Sequence, residues 1–141
     1  MITAVDTNVL LDVFLGDLRF GQASGEHLRE ALRLGVIVAC EAVWAETAAV
    51  FPEQAAFEKA MRTLGIQFSP LTQQAAAEAG IAWKRYRDSG GKRLRLVADF
   101  LIGAHAVVQC DRLLTHDRGF YRDFFRRLKI ADPSQDCASG G

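Results

Sequence analysis

The sequence predicts an α/β fold, a parallel central sheet of four to five strands covered by helices on both faces, and three observations predict it. Short continuous apolar runs alternate with longer stretches whose apolar residues recur at helical spacing. Glycine and proline fall at the ends of those stretches, where helices stop. With 141 residues, half of them hydrophobic, the chain has room for one core and no second lobe.

Taken in order, Ile2 to Val5 is the opening strand. Asp6-Thr7-Asn8 follows, rich in helix-capping types, and Val9-Leu10-Leu11 begins a helical run. Ser24 to Leu34 carries Leu28, Ala31 and Leu32 at helical spacing and is closed by Gly35. Val36 to Ala39 is a second buried strand; a helix from Glu41 to Val50 comes next and breaks at Pro52. Gln54 to Leu64 is an amphipathic helix stopped by Gly65, and Ile66-Gln67-Phe68 a third strand. Thr72 to Arg87 reads as a helix, Ser89-Gly90-Gly91 as a loop, and Leu96 to Val108 as a strongly apolar helix. Leu113-Leu114-Thr115 is a short strand, Phe120 to Leu128 a last helix, and Ile130-Ala131 a final strand. The expected domain is 1–132, with the small, polar 133–141 as a disordered tail.

Composition excludes several classes. No apolar run approaches the roughly 20 residues that span a bilayer. The first residues lack the basic start and apolar stretch of a signal peptide, so the expected location is cytoplasmic, with no membrane partner. Three cysteines (Cys40, Cys110, Cys137) without CxxC spacing argue against a disulfide framework or a zinc site, and His27, His105 and His116 are too scattered to add one. Net charge is zero but uneven. Residues 1–70 hold nine acidic and five basic side chains, residues 71–141 eight and twelve. Six of those twelve, Lys84, Arg85, Arg87, Lys92, Arg93 and Arg95, fall within twelve residues. Such a patch either attracts phosphates or simply solvates a helix end.

Four carboxylates sit where a plain globular domain has little use for them. Asp6 comes immediately after the first strand, and Asp117 just after the Leu113–Thr115 strand. In parallel sheets the carboxyl ends of strands line the ligand crevice, although both residues also suit a helix N-cap. Glu46 has Ala42, Val43, Ala49 and Val50 three and four positions away, which places it on an apolar face unless the register turns it outward. Asp99 interrupts Leu96-Val97-Ala98-Asp99-Phe100-Leu101-Ile102, with Arg95 as a candidate partner and a helix first turn as another use. If the four converge, like charges about 4 Å apart repel by roughly 4 kcal/mol at an effective dielectric of 20. Raised pKa values or a bound cation relieve that, and an all-oxygen ligand set favours Mg²⁺ or Mn²⁺.

These residues make the chain resemble the PIN-domain family, in its VapC-like branch of type II toxin–antitoxin toxins. Four segments carry the resemblance: Val5 to Leu11, Val43 to Thr47, Asp99 to Ala106 and Leu114 to Phe120. It implies a three-layer α/β/α sandwich and an Mg²⁺-dependent endoribonuclease in which Asp6, Glu46, Asp99 and Asp117 bind metal and catalyse. It also implies that Asn8 and Thr115 orient those carboxylates, that the chain is a homodimer, and that a VapB-like antitoxin inhibits it. Hydrolysis would leave a 5′-phosphate and a 3′-hydroxyl, with Arg85, Lys92, Arg93, Arg95 and Arg118 on the RNA backbone. Asp12, also acidic within an apolar run, is read as structural. The chain departs from the pattern at Cys40-Glu41, where relatives often carry a small hydroxyl residue, and at His105, where a small or apolar residue is usual. Two alternatives stand beside the toxin: a PIN-fold ribonuclease of RNA processing or decay, and a non-catalytic RNA- or protein-binding module.

Overall fold

The computed structural model describes residues 1–90 and 97–135. Its five strands, all parallel, form one sheet in the order β3-β2-β1-β4-β5. β1 is Ile2–Val5, β2 Val36–Ala39, β3 Ile66–Phe68, β4 Arg112–Leu114 and β5 Ile130–Ala131. The helices that connect and cover them are α1 (Thr7–Phe14), α2 (Gly21–Leu34), α3 (Glu41–Ala48), α4 (Gln54–Leu64), α5 (Gln73–Asp88), α6 (Val97–Gln109) and α7 (Arg118–Phe124). The predicted α/β class and parallel sheet therefore hold. Among the described residues no helix is long and apolar enough to cross a membrane.

Central strands buried on both faces must be continuously apolar, and Ala4, Val5, Ile37, Val38, Ala39, Leu113 and Leu114 are all buried. Val9 and Leu10 of α1, Val43 of α3 and Phe100, Ile102 and Ala104 of α6 close over them. Two glycines sit where a neighbour comes too close for a side chain. A Cβ on Gly35 would lie 2.0 Å from the Met1 carbonyl oxygen, so only glycine lets α2 turn directly into β2 beside β1. A Cβ on Gly103 would lie 2.3 Å from the Phe125 ring, so glycine lets α6 seat against the residue that ends α7.

The strand order decides where a site can form. From β1 the chain winds outward to β2 and β3, then returns to the other side of β1 for β4 and β5. The reversal lies between β1 and β4, which pair with Val5 opposite Leu114. At such a switch point the loops leave in opposite directions and open a crevice at the carboxyl ends of the strands.

Element ends differ from expectation where local capping overrides periodicity. α3 stops at Ala48 instead of running to Val50. α7 begins at Arg118, on an Asp117 N-cap, two residues before the expected Phe120, and finishes at Phe124 instead of Leu128. α2 begins at Gly21, earlier than Ser24.

Candidate active site

Asp6 is the first residue beyond β1 and is only 6 % exposed. Its Oδ2 accepts from the Thr115 hydroxyl at 2.8 Å, the Tyr121 hydroxyl at 3.0 Å and the Asn8 amide at 3.4 Å. Its Oδ1 accepts from the Thr7 backbone N–H at 2.7 Å, so Asp6 does cap α1 as well as lining the crevice. Among the described residues all these donors are neutral. Burial, as the largest cause, lifts the Asp6 carboxyl to about 6, with the Asp99 charge adding to the rise and the Thr115, Tyr121 and Thr7 bonds opposing it.

Thr115, the first residue beyond β4, ties the two strand ends together. Besides donating to Asp6, its Oγ1 accepts from the Asp117 backbone N–H at 2.9 Å and from the Asn8 amide at 3.4 Å. The His116 backbone N–H in turn donates to Asn8 Oδ1 at 3.3 Å. Asn8 and Thr115, expected to orient the acidic set, both donate to Asp6, and Thr115 accepts from the Asp117 backbone.

Asp99 lies in the first turn of α6, half-buried, close enough to act electrostatically on both Asp6 and Tyr121. Asp117 is the N-cap of α7 but gives it no side-chain capping bond, and its charge also acts on Tyr121. All three aspartates thus act electrostatically on one phenol. Burial and then the charge of Asp6 push the Tyr121 hydroxyl well above its usual range, so it stays protonated as a donor.

Glu46 reaches the same place by another route than the sequence argument supposed. Because α3 ends at Ala48, Ala49 and Val50 do not extend an apolar face around it, and its side chain is exposed. The buried face of α3 belongs to Val43 and Thr47. Glu46 still joins the crevice, since its Oε1 accepts from the Thr7 hydroxyl at 2.8 Å, one residue from Asp6.

Tyr121 is the site residue that sequence reasoning missed. It lies inside the expected Phe120–Leu128 helix with no separate signal in the apolar pattern. The available signal was its place four residues after Asp117, on one helical face, together with the rule that a buried phenol needs a partner.

Asp12, set aside as structural, binds elsewhere: its Oδ2 accepts from the Ser24 hydroxyl at 2.7 Å and contacts His116 Nε2. The other ring nitrogen of His116 lies 3.7 Å from Asp132. At the departure positions, Cys40 is the N-cap of α3 without a side-chain bond, and His105 is buried with its Nε2 3.0 Å from Ser69 Oγ. Of the expected RNA contacts, Arg85 donates to the Phe124 carbonyl at 3.2 Å and Arg118 to Gln135 at 2.6 Å. Lys92, Arg93 and Arg95 lie outside the described residues, as does the Asp99–Arg95 pairing.

Among the described residues, no three His, Cys, Asp or Glu side chains are drawn together as a ready metal cage. The donor set nevertheless fits a hydrated hard cation. Mg²⁺ keeps several waters and binds through one or two carboxylates. A buried carboxylate that feels the charge of a second one, and is reached only by neutral donors among the described residues, is what such an ion stabilises.

The PIN domain family's sequence profile matches residues 3–123. No curated protein matches the chain by sequence. Several solved structures share its fold. VapBC2 from Rickettsia felis, bound to a DNA fragment from its promoter, is 15 % identical with a TM-score of 0.73, covering 94 % of this chain and 98 % of that one. DNA-bound VapBC from Salmonella typhimurium is 16 % identical with a TM-score of 0.68, over 94 % and 98 %. A toxin–antitoxin complex from Klebsiella pneumoniae is 16 % identical with a TM-score of 0.65, over 93 % and 97 %. At these identities the likeness is one of fold.

Proposed function

Because the chain belongs to the PIN domain family, we propose that it is a divalent-metal-dependent endoribonuclease that serves as the toxin of a toxin–antitoxin pair. The observation that carries the reading is the buried Asp6 carboxylate at the sheet's switch point, coupled to Asp99 and reached only by neutral donors among the described residues. A protein that needed Asp6 only as a helix cap would gain from leaving it solvated.

Asp6, Glu46, Asp99 and Asp117 would hold the ion, Mg²⁺ or Mn²⁺. When bound, it supplies charge neutralisation at the phosphate and a lower pKa for water. The rest falls to the chain. Oδ2 of Asp6 takes three donors and Oδ1 one, so Oδ1 keeps the larger remaining capacity to accept. Tyr121 retains its proton and therefore orients Asp6 without competing as a base. Glu46, tethered by Thr7 yet open to solvent, is the carboxylate placed to take a proton from the aqueous side.

The toxin role rests on the VapBC and toxin–antitoxin complexes among the structural neighbours. With it go a VapB-like antitoxin partner, a homodimer, residues 1–132 as the nuclease domain and 133–141 as a tail.

The deciding experiment incubates purified protein with total RNA, with Mg²⁺ and with chelator, beside Asp6→Asn. We expect Mg²⁺-dependent cleavage that falls at least about a hundredfold in the variant. Full cleavage by Asp6→Asn would remove Asp6 from the centre of the site. No cleavage by the native chain in either Mg²⁺ or Mn²⁺ would remove the nuclease.

A further inference from the structure

The side of α7 turned away from Asp6 carries a second feature. The helix begins on Asp117 and sends Tyr121 inward to Asp6, with Phe125 buried one turn later. On its outer side Arg118 and Arg122 stand four residues apart, one helical turn. Arg122 and the exposed Arg126 line one surface hollow with Asp123. Arg126 and Asp123 also belong to an adjoining cleft of about 390 Å³, which Arg85, Arg127 and Glu78 help to line. Arg85 is held there by its bond to the Phe124 carbonyl.

We propose that this cleft at the far end of α7 is a phosphate anchor for single-stranded RNA whose scissile bond lies at Asp6. The proposal rests on the nuclease reading and extends it to the path of the substrate. The seven-residue helix is about 10 Å long at 1.5 Å per residue. A strand running along α7 from Asp117 would meet Arg118, Arg122 and then the cleft in sequence.

Charge limits how much the anchor can do. Asp123 and Glu78 offset two of the three cleft arginines, leaving one net positive charge, or two with Arg122. That suits one or two phosphates, not a long backbone. Specificity is limited too. Phe124 packs edge-on with Tyr86 and Phe100 and against Phe120, so its ring belongs to the core and is not a platform for a base. The anchor thus holds the strand without reading its sequence.

The test measures binding of a fluorescein-labelled twelve-nucleotide single-stranded RNA by anisotropy, in chelator, across a KCl series. Arg126→Ala combined with Arg127→Ala is compared with the native chain, with the charge-conserving Arg126→Lys/Arg127→Lys pair, and with Lys59→Ala on the remote α4. Arg126 and Arg127 are both exposed, so the fold should survive the changes. We expect the alanine pair to bind about tenfold more weakly and to lose about one to two from the slope of log affinity against log salt. The lysine pair should keep the slope, and Lys59→Ala should match the native chain. An alanine pair with native affinity and slope, in a protein that cleaves RNA with Mg²⁺, overturns the cleft and leaves the nuclease standing. A native chain that binds the RNA but never cleaves it overturns the substrate path together with the nuclease reading.

Discussion

Two clusters of buried acid lie at the carboxyl ends of β1 and β4, and they are compensated differently. In one, Asp12 and Asp132 flank the His116 ring, with Ser24 adding a hydroxyl and Ser134 donating to Asp132. In the other, Asp6 receives hydroxyl and amide hydrogens only, while Asp99 adds repulsion. The first cluster brings its own basic side chain. Asp6 takes none from the described residues, and burial above all lifts its carboxyl to about 6. The difference teaches how structure and function divide at one sheet edge. The His116 network staples α1, α2 and the β5 end with a basic ring between two acids, whereas Asp6 is held by neutral donors among the described residues.

The comparison breaks most visibly through stability. His116→Ala should destabilise the fold by about 3 kcal/mol, because it removes the imidazole in contact with the largely buried Asp12 carboxylate. The loss should be the same with and without Mg²⁺, as read by urea melts. A loss that Mg²⁺ restores would mean that the two clusters are one site.

Asp6 should behave in the opposite way. Its folded value near 6 exceeds the unfolded 3.8, so the folded state holds the proton more tightly. That stabilisation is complete below the unfolded value and is lost as pH rises through about 6. The difference amounts to about 3 kcal/mol for the ion-free protein. Thermal melts in chelator between pH 4 and 7.5 should show this decline in the native chain, and Asp6→Asn should be free of it. Mg²⁺ should recover part of the loss at pH 7.5 in the native chain alone.

Smaller effects sharpen the picture within the crevice. Tyr121→Phe removes a donor to the charged form of Asp6, so the Asp6 carboxyl should rise further. The acid limb of the cleavage profile should move up by about one pH unit, with about a tenfold loss at pH 5 and a smaller one at pH 7. An unmoved limb would show that Asp6 does not set it. Thr7→Ala frees only the exposed Glu46 and should cost no more than about 1 kcal/mol in the transition state, a several-fold drop in kcat/KM.

Much of the fold was legible because a sheet buried on both faces demands continuous apolar runs, and β1 and β2 are such runs. Asp6 and Asp117 were legible for a related reason: each follows a strand, and strand ends line the crevice whatever the loops do. Glu46 was found by an argument that the structure does not support. Its apolar neighbours beyond Ala48 lie past the helix end, and the chain runs on toward Pro52. Tyr121 stayed hidden because it lies within the apolar last helix, where periodicity marks it for the core but not for a carboxylate. Periodicity reports which side of a helix is greasy. It does not report which tip of a buried aromatic finds a carboxylate.

Thr115 carries a last consequence. A hydroxyl owns a single hydrogen, and this oxygen already receives two from Asp117 and Asn8. Its one hydrogen is thereby committed to Asp6, which gives the whole chain of bonds a fixed direction from the β4 loop into the β1 end. Serine could take over that errand. Valine, identical in outline, would leave a backbone amide and a buried carboxylate both facing a methyl group, so at this position shape counts for less than polarity.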